Sequence, residues 1–105
     1  MKVGDKVLCI NAIIDPDKLE EIKKDFENWV TKDEEYTIRE VLSNDGIVTG
    51  LLLEEIYNYP KFFKLINRFQ EPAFATWRFR KLEKASIQVE MGETIEVYTN
   101  TYEQN

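Results

Sequence analysis

Histidine is absent from this chain of 105 residues. With it go the side chain best matched to proton transfer near neutral pH and the commonest metal ligand. Cysteine is almost absent: Cys9 stands alone, so no internal disulfide can form, and no imidazole exists to activate its thiol. A buried strand position is the favoured reading of such an unpaired cysteine. The four glycines are scattered, which leaves no glycine-rich loop able to cradle a phosphate. No apolar run approaches the roughly 20 residues of a membrane span. The opening Met1-Lys2-Val3-Gly4-Asp5-Lys6 lacks the apolar stretch of a secretory signal. These absences set the expectations of a cytoplasmic protein that is not an enzyme and takes no metal or cofactor.

Carboxylates are plentiful, but their spacing does not build a site. Glu54 and Glu55 are neighbours, so in a strand they face opposite ways and cannot act as one acid and base pair. Asp15 and Asp17 lack the glycine and spaced acids of a calcium-binding loop. Asp15 before Pro16 is instead a helix start, with the aspartate as cap and the proline at the first helical position, where its missing N–H costs nothing.

The formal net charge of −6 opposes general affinity for nucleic-acid backbones. Its distribution is uneven, because residues 61–84 hold seven bases against two acids, a local +5 that leaves −11 on the remainder. Tyr57, Tyr59, Trp77 and several phenylalanines interleave with those bases. The combination suits stacking on bases and pairing with phosphates. It equally suits phenylalanines in a core with cations balancing acids in solvent, and the net charge favours that second reading. Acids at Glu90, Glu93 and Glu96 add a charged face near the C-terminus, read as solvated.

Read in order, the chain is mostly strand. Lys6 to Ile10 is a short strand with Val7 and Cys9 on one face and Leu8 and Ile10 on the other. Leu19, Ile22, Phe26 and Trp29 or Val30 recur at steps of three and four, which predicts an amphipathic helix over 16–29. Residues 36–55 carry the strongest local signal. Two runs rich in β-branched and long apolar residues flank Asp45-Gly46, a pair that accepts the positive φ of a tight hairpin. Gly50 in the second run marks a bulge or bend. Phe62, Leu65, Ile66 and Phe69 predict a turn or two of helix near 60–69, and residues 74–82 alternate as one strand. Residues 85–91 read as strand or short helix, and Thr94 to Tyr98 as a final strand around a turn at Gly92-Glu93.

A resemblance follows from four islands of sequence: Gly4-Asp5-Lys6-Val7-Leu8-Cys9; Glu35-Tyr36-Thr37-Ile38-Arg39-Glu40-Val41; Gly50-Leu51-Leu52-Leu53-Glu54-Glu55-Ile56; and Glu71-Pro72-Ala73-Phe74 with Arg78-Phe79-Arg80. Together they resemble a group of small phage and prophage proteins of uncharacterised role. The resemblance implies an SH3-like β-barrel and carries over no functional residues. The expected fold is therefore mostly β (α+β), one domain over 1–105: a small SH3-like antiparallel barrel with one added helix.

The expected function is a protein- or peptide-interaction module, with Tyr57, Tyr59, Trp77, Arg78 and Arg80 as candidate partner-binding residues, since amphipathic aromatics and arginine recur at binding hot spots. The alternative is a nucleic-acid-associated accessory protein using the belt 57–84. A homodimer through the alternating terminal strand is a further expectation.

Overall fold

A computed structural model describes the backbone of residues 1–88 and 94–100 and the side chains of residues 1–83. Strand β1, Lys6–Cys9, occupies the centre of the sheet, pairing with β2, Glu35–Asn44, on one side and with β7, Phe79–Gln88, on the other. Strand β3, Ile47–Leu53, pairs with β2 and with the two-residue β6, Phe74–Ala75. With β8, Thr94–Asn100, the antiparallel order is β6-β3-β2-β1-β7-β8. A separate small hairpin joins β4, Lys61–Phe63, to β5, Arg68–Gln70. Among the described residues one α-helix accompanies these strands, α1, Leu19–Asp25, led by a 3-10 turn at Pro16–Lys18.

The sheet is open, which corrects the expected closed barrel: among the described residues no ladder joins β6 to β7 or β8. It curls nonetheless. Phe74 pairs on the β3 edge and Phe79 pairs beside β1, so the chain crosses from one side of the sheet to the other within a few residues. One straight strand over 74–82 cannot make both pairings, and a 3-10 turn at Thr76–Arg78 breaks it. The terminal segment is strand through Gln88; residues 89–91 and the turn at 92–93 lie outside the described residues.

The β2–β3 hairpin forms as its sequence demands. Asp45 and Gly46 take φ of 53° and 81°, the double left-handed turn that matches strand twist. Two register shifts bend the ribbon. Arg39 is the extra residue between the Ile38–Leu53 and Glu40–Leu52 pairs, and Thr49 is the extra residue between Leu42–Gly50 and Ser43–Val48. Gly50 thus lies beside a bulge, and it has a packing reason of its own. A Cβ there would come within 2.9 Å of the Ala73 Cβ.

Helix α1 ends at Asp25, short of the expected 29: the Phe26 N–H makes the last ladder bond, to the Ile22 carbonyl at 2.8 Å, and from there the chain turns to serve the core. Phe26 is extended at φ −115° and ψ 100°, and its ring lies 5.0 Å from both Trp29 and Phe74. The N–H of Asn28 donates to Asn58 Oδ1 instead of to a carbonyl one turn back. At the other end the expected cap is in place, with Asp15 Oδ1 accepting from the Asp17 N–H at 3.0 Å.

The helical turn expected near 60–69 is also corrected, since those residues form the β4–β5 hairpin. Asn67 takes φ 52°, a left-handed position that asparagine tolerates and a helix does not. Phe62 and Phe69, one face of the expected helix, sit directly opposite one another across the two strands.

The core gathers Val7, Cys9, Val30, Tyr36, Ile38, Leu51, Leu53, Phe74 and Phe79. Full burial of an aliphatic or phenylalanine side chain contributes about 1.5–3 kcal/mol. Val7 and Cys9 face inward together, as the alternation of β1 predicts. Cys9 is fully buried, and burial pushes its thiol pKa up, the opposite of what a nucleophile needs.

Candidate interaction surface

Two aromatic clusters contain four of the five candidate residues, and they are built differently. The first presents Tyr57 and Tyr59, which are 54% and 68% exposed although the segment carrying them is tightly fixed. Between them Asn58 is fully buried. Its amide clamps a segment thirty residues away: Oδ1 accepts from the Asn28 N–H at 2.6 Å and Nδ2 donates to the Asn28 carbonyl at 3.1 Å. Asn28 returns the contact by donating from Nδ2 to the Tyr57 carbonyl at 2.8 Å. The Asn58 N–H donates to Glu71 Oε2, which also accepts from Arg39 Nη2, both at 3.0 Å.

Arg39 reaches that position because it is the bulged residue of β2. Bulges commonly re-aim a side chain. Its other donors go to the carbonyls of Leu53 and Ile56, so the guanidinium ties β3 to the segment that follows it. On the outer side, Glu27 accepts from the Tyr59 N–H at 3.1 Å and from Lys61 Nζ at 2.6 Å. The Lys61 hydrogen bond is the main reason the Glu27 carboxyl titrates below the ordinary glutamate value. The result is two tyrosine rings in edge-to-face contact, centroids 5.8 Å apart, on a backbone with few ways to move.

The second cluster surrounds the 3-10 turn at Thr76–Arg78. Trp77 is 57% exposed, whereas its neighbour Arg78 is 93% buried, having 7% exposure. The guanidinium carbon of Arg78 lies 4.3 Å from the Trp77 ring centroid and 4.9 Å from that of Trp29. Trp29 is itself anchored by donating from Nε1 to the Ala12 carbonyl at 2.9 Å. Arg78 Nη1 donates to the carbonyls of Asn11 and Ile13 at 3.2 and 2.8 Å. Asn11, Ile13, Asp15, Lys18, Ile22, Trp77 and Arg78 line a pocket of about 370 Å³.

Arg80 sits on β7 opposite Leu8, on the face turned away from Val7, Cys9 and Phe79. The basic belt is likewise dispersed by the fold. Lys61 is held by Glu27, Lys81 lies 3.8 Å from Asp5, and Arg78 is buried. Lys64 and Arg68 are exposed on the β4–β5 hairpin beside Leu65 and Phe69, which are 100% and 70% exposed. An apolar groove of about 280 Å³ runs from this hairpin to Leu42, Pro72 and Ala73.

Sequence reasoning missed Asn28, Asn58, Glu27, Arg39 and Glu71. Their partners lie about thirty positions away, and no local pattern marks an asparagine that will be buried. Among the described residues no group of three or more acids and cysteines is placed to hold a metal ion. No helix among them is long and apolar enough to cross a membrane. The acids at Glu90 and Glu93 lie outside the described residues. Comparison with protein-family models, with curated proteins and with solved structures finds no match to this chain.

Proposed function

We propose that this protein is a non-enzymatic, cytoplasmic interaction module that binds a peptide segment of a protein partner through its exposed aromatic side chains. The observation that carries the reading is the pairing of exposure with rigidity: Tyr57 and Tyr59 stand out in solvent on a segment locked by the buried Asn58 and Glu71 and by the half-buried Arg39. Aromatic side chains already fixed before binding lose little entropy on contact, which is how a few residues come to dominate an interface.

The strand order supports keeping an SH3-like arrangement, open instead of closed, as the scaffold. The returning strand β7 lies beside β1, and a 3-10 turn leads into it. The phage-type resemblance belongs to this same proposal. Dispersal of the basic belt favours a protein partner over a nucleic acid, because counterion release needs several cations along one track.

Selection from a displayed random-peptide library tests the reading. The expected outcome is a consensus peptide whose affinity falls about tenfold or more in Tyr59→Ala, as at a binding hot spot, with the circular dichroism spectrum unchanged. Failure to enrich any consensus, or binding indifferent to both Tyr59→Ala and Trp77→Ala, would overturn it. Oligonucleotide binding that falls steeply with added salt would put nucleic acid in its place.

A further inference from the structure

Arg78 is a buried cation without a counter-ion among the described residues. The ion pairs of the described chain use Lys2, Arg39, Lys61 and Lys81, and Arg78 makes none. Its hydrogen bonds leave from Nη1 alone, so the Nε and Nη2 edge of the fork is unused. Burying a guanidinium in this way is costly, and the usual remedy is an anion that completes the fork. The pocket beside it has an apolar wall of Ile13, Ile22 and Trp77, and its charged lining of Arg78, Lys18 and Asp15 sums to a single positive charge.

We propose that this pocket receives a carboxylate of the bound peptide, held by the Nε and Nη2 edge of Arg78, with the adjoining apolar side chain of the peptide laid against Trp77. The inference rests on the interaction reading above and names the chemistry recognised. One free edge of a guanidinium matches the two oxygens of a carboxylate. A net charge of one matches a monoanion, where a phosphate dianion calls for more cations than the pocket holds. Ile13 is 75% exposed and Trp77 57% exposed, so the wall meant for the apolar neighbour is open to solvent. The carboxylate can come from a peptide C-terminus or from an aspartate or glutamate side chain, and the two are separable.

The test uses the full chain and three synthetic hexapeptides, followed by amide and indole shifts in NMR titration. One peptide ends in leucine with a free carboxylate, one is its C-terminal amide, and one is the amide with an internal Asp-Leu pair. The expected result is that a carboxylate-bearing peptide shifts the Trp77 indole N–H and the Ile13 amide. The plain amide should bind about tenfold more weakly or worse, the loss of roughly one charge-assisted pair. Whether the first or the third peptide binds identifies the source of the carboxylate.

Trp77→Ala, at an exposed position, should weaken the preferred peptide several-fold with the fold intact. Arg78→Lys, which keeps the charge and loses the fork, should weaken it as well. Equal affinity for all three peptides, or no shift at millimolar concentration, overturns the assignment. If that happens while Tyr59-dependent binding of the selected peptide persists, the carboxylate inference falls alone; if both vanish, the interaction reading falls with it.

Discussion

The tyrosine cluster and the tryptophan cluster both set aromatic rings beside cations, yet they treat the cation in opposite ways. Around Tyr57 and Tyr59 each cation already has its anion: Lys61 pairs with Glu27 at 2.6 Å and Arg39 with Glu71 at 3.0 Å. Around Trp77, Arg78 is more deeply buried than either and makes no ion pair among the described residues. The first cluster therefore offers contact area on a rigid frame, and the second offers charge. A partner that engages both would gain affinity mainly from the tyrosines and selectivity mainly from Arg78.

The largest expected effect breaks the frame of the first cluster. Glu71→Ala leaves the Asn58 N–H without its acceptor and Arg39 without its anion. The expected cost is about 3 kcal/mol of stability, from an unsatisfied buried donor and a half-broken ion pair. Urea denaturation measures it, and a loss under about 1 kcal/mol would show that the frame is not what fixes the tyrosines.

Next in size is binding. Tyr59→Ala should change stability by less than about 0.5 kcal/mol, as exposed positions do, and still lower affinity for a selected peptide about tenfold. Calorimetry on the same samples reads both quantities.

Arg78→Met sharpens the contrast from the other side. Removing an unneutralised buried cation offsets the loss of two hydrogen bonds to carbonyls and of the cation–π contacts with Trp29 and Trp77, against which the methionine still packs, so stability should move by less than about 1 kcal/mol. A cost comparable to that of Glu71→Ala would make Arg78 a structural strut like Arg39, and the difference between the clusters would disappear.

The smallest effect is a pH response confined to the first cluster. Glu27 is held below the ordinary glutamate value by Lys61 and by the Tyr59 N–H. A carboxyl with a depressed folded pKa contributes stability above its unfolded value, and that contribution is lost as pH falls through the folded one. The Tyr59 amide resonance should accordingly move on acidification below the ordinary glutamate value of about 4.3. In Glu27→Gln that movement should be absent.

Much of the frame was legible because it is written locally. Asp45-Gly46 specified a hairpin turn, alternation in Lys6–Cys9 specified its buried face, and Asp15-Pro16 specified a helix start. The misreadings share one cause. The spacing of Phe62, Leu65, Ile66 and Phe69 fits a helix only if some surface waits to cover that stripe, and in the fold all four residues are at least half-exposed or nearly so. Phe26, Trp29 and Val30 continue the helical period, but their packing against Phe74 and the core draws the chain out of the helix after Asp25. Of the candidate residues, Tyr57, Tyr59 and Trp77 are exposed as their amphipathic character suggested, while Arg78 is buried where a surface cation was expected.

The sequence by itself determined the mostly-β class, the β2–β3 hairpin and the lack of any imidazole or internal disulfide in these 105 residues, because each depends on residue type or on neighbours a few positions apart. Tertiary structure alone decided that the sheet stays open, that Asn58 locks onto Asn28, and that Arg78 is buried without an ion-pair partner among the described residues. Those outcomes depend on which distant segments meet, and the free energy of a buried polar group is set by the partner it finds there.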